Sequence, residues 1–194
     1  HNDMVGKLLL HLLVFDPNVT IRNTYARYVF FLRLGRLILV HQRGKYIIGH
    51  LFSLADVEYY TGDTGGRWTL DKLPCFPESF RFELRRQDGK KSPDAGVKKQ
   101  FSTLEYLCNL PEVDTIVNAG DADREGEIIV RLCIENALKG TKVQKRLWLP
   151  DQTPETVSRA LSEMKLSSEY DNLAHEGYAR TYVDWLYGVN LTRY

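Results

Sequence analysis

One stretch constrains the fold more than any other. A β-branched, apolar run from Val113 to Ala119 stops at Gly120 and gives way to a helical pattern, with Ile129, Leu132, Cys133 and Ala137 at the i, i+3, i+4, i+8 spacing of one buried face. A strand passed through a tight turn into an amphipathic helix commits the chain to α/β layering. It also sets the turn at a strand's carboxyl end, where open α/β sheets place their ligands. The turn carries Asp121, Asp123 and Glu125 at every second position. Alternate side chains of an extended turn point the same way, so the three carboxylates are expected to converge. Convergent carboxylates repel unless a proton or a cation holds them together. An all-oxygen set suits a hard cation such as Mg²⁺, which takes one or two carboxylates plus substrate phosphate. The following helix would aim its positive end at that phosphate, with Arg124 beside it.

Each of these residues also has a plainer explanation. Asp123 suits a helix N-cap, and Asp121 an Asx turn after Gly120. Glu125 and Glu127 suit the first turn of a helix, where negative charge complements the dipole. Strict alternation of three acids together with Arg124 and Gly126 favours the metal and phosphate reading over simple punctuation.

The surrounding chain narrows the class. Its 194 residues allow one domain, or one domain and part of another, and 43% apolar with 26% charged residues is an ordinary globular composition. A formal net charge of +1 means that any nucleic-acid contact must come from local patches. Charge is uneven, with seven Lys/Arg against two acids (Asp3 and Asp16) in residues 1–50. The apolar runs Leu8 to Phe15 and Val29 to Val40 fall short of the ~20 residues a bilayer span needs, so no membrane segment or signal peptide is expected. Cys75, Cys108 and Cys133 show no C-x-x-C spacing, which suggests buried reduced thiols in a cytoplasmic setting and no zinc site.

Along the chain, Arg81 to Arg86 alternates as a half-buried strand and Gln87 to Gly96 has loop composition. The lysines flanking that loop (Lys90, Lys91, Lys98 and Lys99) suit either a DNA backbone or a solvated face. Phe101, Leu104, Leu107 and Cys108 mark a helix ending before Pro111, and the helix after the acidic turn should run to about Leu138 and stop at Gly140. Val143 to Leu149 reads as a further strand, and strand–helix–strand in this order implies a parallel sheet. Thr153-Pro154-Glu155 is an N-cap with proline at the first helical position, after which no strand signal remains and a helical unit begins near residue 151.

Four motifs in order carry a family resemblance. Gly120 to Glu127, G-D-A-D-R-E-G-E, resembles the acidic signature of the TOPRIM domain of type IA DNA topoisomerases, the topoisomerase III branch in particular. Ile48 to Leu54 resembles that family's G-H-L segment, and Trp68 to Pro74 with Pro77 its Trp…Leu-Pro…Pro linker. Ala179-Arg180 and Asp184 to Arg193 resemble its A-R…D-W-L-x-G-x-N-L-T-R, which opens a helical domain gripping single-stranded DNA. The resemblance covers residues 46–194 and implies an α/β fold: a TOPRIM Rossmann-like parallel sheet flanked by helices, then a C-terminal helical segment. It divides the chain into an atypical segment 1–46, a TOPRIM domain 47–150 and the start of the helical domain 151–194.

The resemblance implies an isomerase that cleaves, passes and reseals one DNA strand. Asp121, Asp123 and Glu125 would hold Mg²⁺, with Arg124 in the catalytic group. His50, Arg180 and Arg193 would touch DNA, and the partners would be single-stranded DNA and the enzyme's remaining domains. The plainer alternatives are a structural histidine for His50 and an i, i+4 pair with Asp184 for Arg180. Two elements of the family pattern find no match. No glutamate precedes Glu58, so the family's N-terminal Glu-Lys-Pro-Ser-like motif is missing, and residues 1–46 have either diverged or are foreign sequence. The nucleophilic tyrosine belongs to a later domain, so the chain alone is expected not to cleave DNA; Tyr182 belongs to the helical motif instead. The alternatives are another TOPRIM phosphoryl-transfer enzyme, a primase or nuclease, and a truncated DNA-binding module without turnover.

Overall fold

The structure, a computed structural model, describes residues 19–20, 29–34, 37–42, 50–62, 72–87, 92–151 and 153–191. Leu8 to Phe15, Trp68 to Asp71, Lys90, Lys91 and Arg193 lie outside the described residues. The elements in order are β1 (Val19–Thr20), β2 (Val29–Leu34), β3 (Leu37–Gln42), β4 (Phe52–Leu54), α1 (Val57–Thr61), β5 (Phe82–Leu84), α2 (Ala95–Cys108), β6 (Thr115–Asn118), α3 (Arg124–Ala137), β7 (Val143–Arg146), α4 (Pro154–Ser162), β8 (Lys165–Leu166), a 3₁₀ turn (Ser167–Tyr170) and α5 (Asp171–Leu191).

The main sheet has the strand order β1-β2-β3-β6-β7-β8. Its centre is parallel, β3 with β6 and β6 with β7, as a strand–helix–strand crossover requires. Its flanks are antiparallel. At one flank, Leu34 opposite Leu37 closes a tight β2–β3 hairpin, a connection that only antiparallel strands can make. At the other, β8 pairs with β7 where the sequence pattern shows no strand. A two-residue strand is too short to leave a periodic signal, and it ties the residues after 151 to the sheet. Strand β3, from the N-terminal segment, lies directly beside β6, so the sheet runs across residue 46. A second sheet of two antiparallel strands joins β4 to β5.

Helix α3 is buried on most of its surface, including Gly126 to Val130 in succession, because α2, α5 and the sheet enclose it. The core gathers Leu51 and Phe52 with Leu104, Leu107 and Cys108 of α2, Val113 and Ile116 of the strand region, and Val130, Cys133, Ile134 and Ala137 of α3. Helix α2 starts earlier than its apolar spacing suggests, because Asp94 Oδ1 caps it by accepting from the Gly96 and Val97 amides. The end of α3 also differs from expectation. Leu138, not Gly140, follows the last helical residue. Asn109 Nδ2 donates to the Ala137 carbonyl at 2.7 Å and Asn109 Oδ1 accepts from the Lys139 amide, so a side chain does the work of a left-handed glycine.

Helix α5 packs on α3 through Gly177, where a Cβ would lie 2.6 Å from Ile128 Cγ2 and 2.7 Å from the Arg124 carbonyl oxygen. It also makes aromatic contacts: Tyr182 stacks on Phe80 at 4.2 Å between ring centres, and Trp185 meets Tyr60 and Phe80 edge-on. Near its end, Asn190 clasps the backbone of Cys75, accepting from its amide at 2.7 Å and donating to its carbonyl at 3.0 Å.

All three cysteines are buried free thiols. Burial pushes Cys108 and Cys133 up to about 12 from an ordinary value of 9.0. A raised folded-state pKa gives stability that is full below pH 9.0 and lost as pH climbs towards about 12. Native protein at pH 8 is therefore expected to resist iodoacetamide at both positions and to react once unfolded in urea. Labelling at either position without denaturant would contradict that burial.

Candidate metal and phosphate site

The acidic turn sits at the carboxyl end of β6, between β3 and β7. Two glycines let it fold back on the start of α3. A Cβ on Gly120 would strike the carbonyl of Gly126, and one on Gly126 would lie 2.5 Å from both the amide nitrogen and the carbonyl oxygen of Asp121. Backbone therefore meets backbone here, and the two glycines of G-D-A-D-R-E-G-E interlock.

The carboxylates take different positions. Asp121 is exposed, and among the described residues its carboxylate has no hydrogen-bond or ion-pair partner. Asp123 is extended, with φ −148° and ψ 175°, and its Oδ1 caps α3 by accepting from the Gly126 amide at 2.6 Å. Glu125 already lies in the helix, and its Oε1 is 3.3 Å from His50 Nε2. The expected convergence of all three is thus not what the structure shows. Among the described residues, no three His, Cys, Asp or Glu groups stand close enough to hold a metal ion. The reason is a change of period. Alternation aligns side chains only while the backbone is extended, and α3 begins at Arg124, so Glu125 is rotated away from Asp123. The donor chemistry still fits a hard divalent cation: the carboxylates are exposed and oxygen-only, and that of Asp121 has no partner among the described residues.

The other expected site residues are placed as follows. His50 faces the turn through Glu125, so it is brought to the site. Arg124 Nη1 donates to Glu176 Oε1 at 2.7 Å, which joins the first residue of α3 to α5. Arg180 pairs with Asp184 at 2.8 Å, the i, i+4 arrangement that its spacing allows. Exposed pairs of this kind contribute at most about 1 kcal/mol.

Behind the turn lies a buried network that the sequence pattern does not single out. Glu127 and Arg146 are both 0% exposed, with Arg146 Nε 2.7 Å from Glu127 Oε2. Arg146 stands opposite Asn118 in the β6–β7 register. Asn118 Nδ2 donates to Glu127 Oε2 at 3.1 Å, and its Oδ1 accepts from the Gly120 amide at 3.0 Å. Arg131 Nε donates to Glu127 Oε1 at 2.9 Å and its Nη1 to Asp171 of α5 at 2.7 Å. Burial pulls the Arg146 guanidinium below its ordinary value, and Glu127 opposes that shift. Trp148 and Tyr170, stacked on each other, cover the Arg146 guanidinium, which lies 5.0 and 6.0 Å from their ring centres.

Comparison with known proteins finds relatives of this sequence. A protein named DNA topoisomerase 3 from Bacillus subtilis is 34% identical over 171 residues, covering 82% of this chain and 22% of its own length. This chain is homologous to DNA topoisomerase 3. The protein of that name from Bacillus licheniformis matches with the same identity and coverage, and that of Staphylococcus saprophyticus is 33% identical over 156 residues, covering 78% of this chain and 20% of its own. The chain spans about a fifth of the length of the curated DNA topoisomerase 3 relatives it matches. No family model matches it. Coverage of 82% is more than residues 47–194 can supply, so homology to DNA topoisomerase 3 reaches into the N-terminal segment, consistent with β3 pairing directly with β6.

Proposed function

We propose that this chain supplies the metal- and phosphate-handling site of a type IA DNA topoisomerase, a TOPRIM domain joined to the start of a helical domain that holds single-stranded DNA. The observation that carries this reading is the G-D-A-D-R-E-G-E turn at the end of a central parallel strand, in a chain homologous to DNA topoisomerase 3. Asp121 and Asp123 would hold Mg²⁺, with Glu125 joining them only on leaving His50, and the ion when bound offsets negative charge on a DNA phosphate and its leaving oxygen. Asp121 offers a carboxylate without a partner among the described residues, and Asp123 keeps one oxygen on the helix N-terminus. His50 stands 3.3 Å from Glu125 and can orient its carboxylate or release it to a cation. The α3 N-terminus and Arg124 favour an anion beside the turn, and Arg180 and Arg193 would follow the strand's phosphates. Tyr182 is stacked between Phe80 and Tyr178, and burial raises its pKa, so it serves packing and we assign no nucleophile among the described tyrosines.

Manganese, titrated calorimetrically or by its paramagnetic resonance, tests the site. The wild-type chain is expected to bind Mn²⁺ weakly, and the D121N/D123N variant at least tenfold more weakly still. Equal binding by the two would place any metal elsewhere and remove this reading.

A further inference from the structure

We propose that Arg146 is a positioning residue for the acidic turn, acting from the neighbouring strand by gripping the turn's backbone carbonyls while anchored to Glu127. Its Nη2 donates to the Asp121 carbonyl at 2.6 Å, and its Nη1 to the carbonyls of Gly120 at 2.8 Å, Leu147 at 2.9 Å and Asn118 at 3.3 Å. Three of those four oxygens belong to residues 118–121, the end of β6 and the entry to the turn. The remaining edge of the guanidinium faces Glu127, on the same helix whose N-cap is Asp123 and whose first turn holds Glu125. One planar group thus fixes the residue bearing the first carboxylate relative to the helix bearing the other two.

Stability alone does not explain such a device. A buried ion pair recovers little more than its desolvation cost, and apolar residues of similar volume usually serve a core as well. What apolar residues cannot do is hold carbonyls in place. Lysine cannot substitute either. Its ammonium is a point charge with three donors, whereas the arginine fork reaches separate acceptors on two sides at once. The link extends through Glu127 to Arg131, which donates to the Ser167 carbonyl at 2.9 Å and to Asp171, so the position of α5 is set by the same charges.

The functional meaning of the inference rests on the metal reading above, and the test separates the two. R146K and the apolar pair E127L/R146M are compared with wild type by amide hydrogen exchange and by Mn²⁺ titration. The amides of Gly120, Asp123 and Gly126 are bonded within the turn and report its order directly. In both variants these amides are expected to exchange at least tenfold faster while Ile129 to Ile134 keep wild-type protection. Mn²⁺ affinity should fall about 10- to 100-fold, as for outer-shell partners of metal ligands. Unchanged exchange in the turn overturns the proposal whatever the metal result. A loosened turn with wild-type Mn²⁺ affinity also overturns it, because the grip then does not serve the carboxylates. Mn²⁺ binding that is insensitive to D121N/D123N counts against the metal reading alone, and turn exchange then decides the positioning role. If R146K does not fold, the apolar pair, which leaves no buried charge unpaired between these two positions, carries the same comparison.

Discussion

Gly126→Ala is expected to destabilise the chain by about 3 kcal/mol, opposite in sign to what helix propensity predicts. Gly126 is in the first turn of α3, where replacing glycine by alanine ordinarily gains about 0.5–1 kcal/mol. Here the new Cβ would lie 2.5 Å from the Asp121 amide nitrogen and carbonyl oxygen and 2.8 Å from its Cα. No rotamer change relieves a clash between Cβ and backbone, so the turn itself must move. Moving it strains Arg146, whose Nη2 holds that same Asp121 carbonyl. For a chain of this length about 3 kcal/mol lowers the thermal midpoint by roughly 6–12 °C. Gly140→Ala is the control, because nothing lies within 4 Å of its Cβ position, and its effect should stay within about 0.5 kcal/mol. Equal midpoints for the two variants would show that the turn does not approach the helix as closely as described.

The same glycines mark how far the sequence alone was legible. The strand, the turn and α3 were readable because Val113 to Ala119 and Ile129 to Ala137 each carry a clear period, and the order strand–helix–strand dictated the parallel centre of the sheet. The mixed direction of the outer strands was not readable, since β8 has two residues and its pairing with β7 depends on where α4 delivers it. The acidic residues were identifiable by spacing, but their arrangement was not. Alternation predicts a shared direction only until the backbone turns helical, and a sequence does not show that Arg124 is already the first helical residue. Glu127 and Arg146 were missed because charge is usually read as exposure. Two signals pointed the other way: Glu127 directly precedes the apolar run Ile128-Ile129-Val130, and Arg146 directly precedes Leu147-Trp148-Leu149 at the end of β7. A buried charge declares itself only when its partner is known, and this partner lies on another element.

Glu127→Leu alone should destabilise the fold by about 3–5 kcal/mol, and adding Arg146→Met to it should restore most of that loss. Removing the carboxylate leaves a fully buried guanidinium facing an apolar group. Its four carbonyl acceptors satisfy donors but supply no full negative charge. Arg131 loses one acceptor as well, but it is nearer solvent and keeps Asp171 and the Ser167 carbonyl, so its share of the cost is smaller. Replacing both members with leucine and methionine removes the desolvation burden and fills a similar volume, but it takes the guanidinium from the Gly120 and Leu147 carbonyls and leaves the Asn118 amide its second acceptor, the Glu127 carbonyl at 3.2 Å, so the recovery stops short of complete. Urea unfolding of the two single variants and the double variant closes a cycle whose coupling should exceed about 2 kcal/mol, within the range seen for contacting residues. Additive losses would mean that the two charges do not depend on each other. Recovery of stability in the double variant without recovery of turn order is the combination that separates what the pair does for the fold from what Arg146 does for the acidic turn.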